Sequence, residues 1–273
     1  NMVKKNTLMR TAVATIFASL FSHQAVAQDG LGSWNYGLEI YGWLPDIEQT
    51  TTSGSEIDLS ISEILDNLEF TLQGTVTASR GNWSLFADGV YLSLNLTDGV
   101  SASEPIGDFG ELGFSIDADI DIASFISTFG GGYKFHDDQN TKLTAIGGLR
   151  YTYLDVDVDV DIEAGIEAGI GDREFAAAAS EQLSIDDSSS NWDVIVGLQG
   201  ETKLDDRWSL LYYGDIGTGD SDYTWQASIG VRYALENFDL TFRYRHLEYE
   251  FDGDDALEDM TVSGPQIGIA FQF

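Results

Sequence analysis

Cysteine is absent, proline and histidine occur three times each, and only 13 Lys and Arg stand against 46 Asp and Glu. Without cysteine there is no disulfide framework and no thiol to carry a lipid behind an export signal. The shortage of basic residues leaves a formal net charge of −33. Such a surface repels nucleic acid and anionic phospholipid and attracts divalent cations. Runs of about 18 apolar residues are also missing, so no helix is expected to span a membrane. Scarce proline, 29 glycines and many aromatics suit strands, because proline interrupts ladders and aromatic rings fit sheet faces.

Near the start, Lys4, Lys5 and Arg10 precede an apolar run from Thr11 to Phe21, and the small-x-small triplet Ala25, Val26, Ala27 follows. This three-part pattern predicts a secretory signal over 1–27 cleaved after Ala27, followed by one β-domain over 28–273. Only 10 basic residues lie beyond the signal, against all 46 acidic ones, a formal charge of −36.

Within 28–273 the governing pattern is alternation. Pro265, Ile267, Ile269, Phe271 and Phe273 share one face, and Gly264, Gln266, Gly268, Ala270 and Gln272 the other. Likewise Phe238, Leu240, Phe242 and Tyr244 alternate with Asp239, Thr241, Arg243 and Arg245. Segments of about 10 residues with one apolar and one wet face are how a β-barrel crosses a bilayer. Ten strands are predicted, near 34–43, 69–79, 83–96, 114–135, 141–158, 190–203, 207–216, 222–234, 238–250 and 261–273. The connections alternate between short and long, as periplasmic turns and extracellular loops do. The fold expected is therefore an all-β, transmembrane, antiparallel up-and-down barrel of about ten strands with long extracellular loops and both termini in the periplasm. A soluble sandwich or lipocalin-like barrel also alternates. The signal, the aromatic strand ends and the final Phe favour the membrane.

Several segments carry a resemblance: YGWLPD at 41–46, ILDNLEF at 64–70, GDIG at 214–217, SDYTWQ at 221–226, FRYR at 242–245 and GPQIG at 264–268. Together they resemble a widespread family of proteobacterial outer-membrane β-barrels of unassigned function, small barrels of the OmpA-like or porin-like kind. The resemblance implies an outer-membrane barrel and no particular activity. It also implies that Phe271 and Phe273 act as the C-terminal signal read by the barrel-assembly machinery.

Two acidic ladders are the most unusual local feature. Asp117, Asp119 and Asp121 alternate with Ala118 and Ile120, and Asp155, Asp157, Asp159 and Asp161 with Val156, Val158 and Val160. With the intervening turn centred near Asp138, Asp121 is expected to face Asp155, Asp119 to face Asp157, and Asp117 to face Asp159. A slip of two would keep carboxylate against carboxylate. Like charges placed opposite each other destabilise a hairpin, and Ca²⁺ would relieve them. The competing reading is a solvated acidic face. No cofactor is required. Apolar parity changes from odd to even near Ser124 and again between Tyr153 and Val156, which predicts either a bulge or the membrane boundary.

Inside the barrel, Arg150, Arg232, Arg243 and Arg245 share the wet face with Glu39, Glu69, Asp193, Glu201, Asp215 and Asp239. Buried charges must pair, and ten strands leave little room, so a plugged or narrow lumen is expected. Ser60 or Ser62 is positioned to cap a short helix with Ile61, Ile64, Leu65 and Leu68 at helical spacing, and 173–182 could form a second loop helix. His136 falls in a turn and His246 on the lipid-side parity. No Asp-His pair like that of the omptins occurs, so no enzyme is expected. The leading function is a monomeric structural or surface-interaction barrel whose partners are outer-membrane lipid, lipopolysaccharide and cations. A narrow solute channel is the alternative, and a surface enzyme a third reading.

Overall fold

A computed structural model describes residues 33–51, 56–105, 110–170, 173–251 and 257–273; the expected leader, 1–27, lies outside them. The chain forms β1 (Asn35–Trp43), β2 (Asp46–Thr51), β3 (Glu56–Leu59), a short helix α1 (Ile61–Asp66), β4 (Leu68–Arg80) and β5 (Trp83–Pro105). There follow β6 (Gly110–Asp137), β7 (Thr141–Ile170), β8 (Arg173–Lys203) and β9 (Trp208–Gly219). The chain closes with β10 (Tyr223–Ala234), β11 (Asp239–Glu250) and β12 (Leu257–Gln272). Ten of these, β1 and β4 to β12, are antiparallel neighbours in order, and β12 returns to β1. The sheet is a closed, ten-stranded barrel.

Closure is sealed by reciprocal bonds: Tyr36 donates its N–H to the Phe273 carbonyl (3.1 Å) and Phe273 donates back (2.8 Å). β2 continues β1 in the same register along β12, with Leu44 N–H donating to the Pro265 carbonyl (2.9 Å) at the interruption. Against β4, however, β1 pairs only from Asn35↔Ser79 to Ile40↔Gly74. Beyond that point the buried Gln73 side chain bridges the two strands, accepting from Trp43 N (2.6 Å) and donating to Trp43 O (3.3 Å). β3 takes the place beside β2 that β4 has left. The expected helix follows, with Ser60 as its cap in a full capping box with Glu63 and with Ile64 buried.

The outer wall is apolar and uncovered. Val194, Val196, Leu198, Ile229, Phe242 and Ile267 are each more than half exposed. In water such a continuous apolar wall would be a severe liability. In hydrocarbon it is the solvent-matched face. Aromatic rings band the wall at two heights. Trp83–Tyr133, Trp208–Tyr233 and Phe238–Phe271 lie at the short-turn end, and Tyr151–Trp192 and Trp225–His246 toward the long-loop end. The spacing suits an apolar band about 25 Å tall. Among the described residues no helix is long and apolar enough to cross a membrane; strands do so instead.

The short turns are built locally. Gly81 is the one described residue at positive φ (61°), a conformation glycine adopts without a Cβ clash. Asp205 accepts the N–H groups of Arg207 and Trp208, and Asp138 those of Thr141 and Asn140. These donors hold both carboxyls below the usual carboxylate range.

The long-loop end differs from expectation. Much of 97–113 and 159–189 continues the ladder: β5, β6, β7 and β8 run on together as a ribbon beyond the barrel. From Tyr153 to Ile170, β7 adds roughly 55 Å of strand at about 3.3 Å per residue. The helix considered for 173–182 is instead strand, paired residue by residue with β7. Alanine is the best helix former, but propensity is a weak prior, and pairing along a continuous neighbouring strand overrides it.

The ladder pairing also shifts from the expected one. Asp121 faces Asp157, Asp119 faces Asp159 and Asp117 faces Asp161, while Asp155 faces Ala123. The turn is centred later than Asp138, since Asp138 N–H donates to the Thr141 carbonyl (3.0 Å), and an irregularity between Lys134 and His136 restores one residue. Carboxylate still opposes carboxylate. Between Gly110 and Lys134 the β6–β7 register is unbroken, so the parity change is no bulge. The odd face is the outer face throughout, aromatic in the membrane and acidic above it. The inner face does the reverse, turning from polar lumen to an aliphatic ladder of Ile116↔Ile162, Ile120↔Val158 and Ile122↔Val156.

Val196 is 58% exposed at mid-height. Val196→Arg should therefore cost about 2–4 kcal/mol of barrel stability in bilayers, measured by urea titration of tryptophan fluorescence in lipid vesicles. On a soluble protein the same exposed substitution would be nearly neutral.

Candidate functional site

Side chains pointing inward stack in layers. Nearest the short-turn end, Arg232 donates to Glu201 (3.0 Å) and lies 3.6 Å from Asp239. Beside it Arg243 donates to Glu39 (2.9 Å), which also accepts from Thr241 (2.7 Å). Alternation on β1, β8, β10 and β11 puts all of them on the lumen side, and the pairs Arg232–Glu201 and Arg243–Glu39 each reach across an intervening strand, while Arg232 and Asp239 lie on adjacent ones.

Two buried guanidinium sites form the next layer. Arg150, 0% exposed, donates through Nη2 to both Asp215 oxygens (2.8 and 2.5 Å), through Nη1 to Thr224 (3.1 Å) and through Nε to Thr128 (3.3 Å). The Tyr213 hydroxyl donates to the same Asp215 (2.5 Å). Arg245 lies 3.1 Å from Asp88, donates to Gln226 (2.8 Å) and to the Tyr41 hydroxyl (3.2 Å), and covers the Trp43 ring at 4.5 Å. Tyr41 in turn donates to Asp88 (2.6 Å). Unpaired charges at these depths would be prohibitively costly, and each guanidinium is paired in the direction its fork demands.

Above this layer the lumen becomes apolar. Tyr41, Trp43, Val90, Ile126, Leu247, Tyr249, Phe251, Met260 and Val262 form one buried cluster, with Ile47 at its margin. Below it, toward the short-turn end, a cavity of about 580 Å³ is lined by Glu39, Thr75, Lys134, Lys142, Glu201, Arg232 and Arg243 among others. The barrel thus has a wet vestibule at one end and a packed plug toward the other.

Four arginines and most of the carboxylates expected in the lumen meet there. Two acids depart from that pattern. Glu69 sits exposed beside a register shift at the start of β4 and accepts from Ser93 (3.2 Å). Asp193, 1% exposed, faces Arg150 across the β7–β8 ladder but accepts from the Ser221 backbone (3.1 Å) and hydroxyl (2.7 Å) instead. Sequence reading missed Asp88, Tyr41, Gln226 and Tyr213. The signal for Asp88 was present, since it holds the parity opposite to Trp83 and Leu85 on β5.

On the ribbon, Asn95 donates to Asp121 (2.9 Å) and Thr97 to Asp119 (2.7 Å), so β5 supplies neutral donors to the β6 acids. Among the described residues no three or more His, Asp and Glu side chains gather as a metal-binding group; the ladders offer cross-strand pairs. His136 pairs with Asp138 (3.0 Å) in the turn. On the outer wall His246 lies between Ser263 (2.5 Å) and Glu248 (3.3 Å).

This architecture defines a transmembrane barrel of the outer-membrane type. No protein-family model matches the sequence, and no curated protein does. Solved structures of similar shape include outer membrane protease OmpT from Escherichia coli, at 9% identity and TM-score 0.45 over 92% of this chain and 100% of that one. The translocator domain of autotransporter NalP from Neisseria meningitidis is 14% identical, with TM-score 0.39 over 100% and 98%. Ail, the attachment invasion locus protein of Yersinia pestis, is 9% identical, with TM-score 0.31 over 88% and 98%. Likeness at this level is one of general barrel architecture.

Arg150→Leu should destabilise the barrel by about 3–5 kcal/mol, because it strands the Asp215 carboxylate in the interior. The double substitution Arg150→Leu with Asp215→Leu should recover much of that loss, as read from urea unfolding of the refolded protein.

Proposed function

We propose that the chain is a monomeric bacterial outer-membrane barrel with a closed lumen, working as a surface-interaction protein through its long-loop end. In this reading the signal over 1–27 is removed, the short turns and both termini face the periplasm, and the barrel-assembly machinery reads Phe271 and Phe273. The ribbon then stands outside the cell, with its acidic face toward lipopolysaccharide and the medium. Divalent cations bridging Asp119 to Asp159 and Asp121 to Asp157 would neutralise the ladders and link them to lipopolysaccharide phosphates.

The observation that carries this reading is the layer of Arg150–Asp215 and Arg245–Asp88 beneath the apolar cluster. Solute could pass only by breaking buried ion pairs and a packed core together. Planar bilayers test it, and no steady single-channel step is expected. The vestibule of about 580 Å³ is the feature that favours a narrow channel, and a reproducible ohmic step would establish that reading.

Titration calorimetry tests the cation role separately. Saturable Ca²⁺ uptake is expected, reduced when Asp119→Asn and Asp159→Asn are combined. Uptake that is absent, or unchanged in the variant, would leave the ladders as a solvated face.

A further inference from the structure

On the outer wall toward the long-loop end, three side chains of complementary chemistry meet. His246 and Ser263 are direct cross-strand partners on β11 and β12, and Glu248 is two residues along β11 on the same face. Nδ1 of His246 lies 2.5 Å from Ser263 Oγ, and Nε2 lies 3.3 Å from a Glu248 carboxylate oxygen. A hydroxyl bonded to one imidazole nitrogen, with a carboxylate on the other, is the arrangement of an activated serine nucleophile, its base and the group that orients the base. The Trp225 ring lies against the imidazole at 4.5 Å and limits its rotation. With the Glu248 carboxylate accepting from Nε2–H, the lone pair of Nδ1 is left to the serine. The imidazole is partly exposed (27%) and Glu248 more so (42%), so an incoming molecule can reach them.

Height and surroundings indicate what that molecule is. The three residues continue the wall face of Phe242 and Tyr244, both more than half exposed to the surroundings. His246 lies eight residues beyond Phe238 of the lower aromatic band. That is roughly 20 Å in height for a strand rising about 3.3 Å per residue at a tilt near 40°. The group therefore sits at the upper aromatic band, the depth of lipid headgroups and the acyl-ester linkages beneath them. It faces lipid rather than the lumen.

We infer that Ser263, His246 and Glu248 form an acyl-ester hydrolysing site for lipids of the leaflet at the long-loop end. Ser263 Oγ adds to the ester carbonyl carbon while its proton passes to His246 Nδ1. The tetrahedral adduct collapses by breaking the carbonyl carbon–alkoxy oxygen bond, and the departing alcohol takes that proton. Water then attacks the acyl-serine, giving its proton to His246. Release of the fatty acid returns the proton to Ser263, so no oxidant, reductant or metal is consumed. Ser263 and His246 touch the reacting atoms, whereas Glu248 is a positioning residue. The site depends on neither lumen closure nor cation binding, and only the identity of the leaflet rests on the orientation proposed above.

The test uses the full chain refolded in detergent, with folding verified by heat-modifiable gel migration for every variant. A fluorophosphonate probe should modify Ser263, located by peptide mass spectrometry. His246→Ala should slow the labelling at least 100-fold. Glu248→Gln should slow it about tenfold and shift its pH profile, and Glu248→Asp should restore much of the rate. Hydrolysis of a p-nitrophenyl acyl ester, and release of fatty acid from lipopolysaccharide or phospholipid vesicles, should disappear in Ser263→Ala. The two vesicle types identify which lipid is cleaved. Equal labelling of folded wild type and His246→Ala, or ester turnover equal to that of Ser263→Ala, would overturn the inference.

Discussion

Hydrocarbon offers the backbone no hydrogen-bond partners, so a sheet placed in it must satisfy every edge or lose several kcal/mol for each orphaned group. The return of β12 to β1 answers that demand, ending in the reciprocal bonds between Tyr36 and Phe273. Once the ladder is closed, every strand has a fixed inside and outside. The pairing of Arg150 with Asp215, the aromatic bands and the exposed Ile229 all follow from which face each residue was assigned.

A second constraint is where the surrounding medium changes. β6 and β7 keep one register from the barrel wall into the ribbon, yet the chemistry of their two faces exchanges near Ser124 and Tyr153. The outer face passes from Phe129 and Phe125 to Asp121 and Asp119 because lipid gives way to water. The inner face passes from Thr128 and Arg150 to Ile120 and Val158 because a crowded polar lumen gives way to open ribbon. The strand itself does not respond to the boundary; only its side chains do.

The barrel was legible from sequence because period-two alternation reports a face directly, and the ten transmembrane segments appear close to their expected bounds. Ser60 and Glu63 announced their helix by a local capping pattern. What could not be read locally was how far pairing continues. The alanines at 176–179 carry no strand signal, and their conformation is set by β7 alongside them. Lumen partners were only half legible: alternation says that Arg245 points inward but not that Asp88, more than half the chain away, meets it. The proximity of Ser263 to His246 is of the same kind, since a hairpin register rather than a motif brings them together.

The wall is uneven around its circumference. β10 and β11 pair from Tyr223↔Glu250 to Ala234↔Asp239, whereas β1 meets β4 over six residues and then yields to the amide of Gln73. A side-chain amide imitates a peptide group, but it hangs on rotatable bonds and forms no continuous zipper. Under mechanical pull or rising temperature, this staple is the point where the cylinder should first split lengthwise.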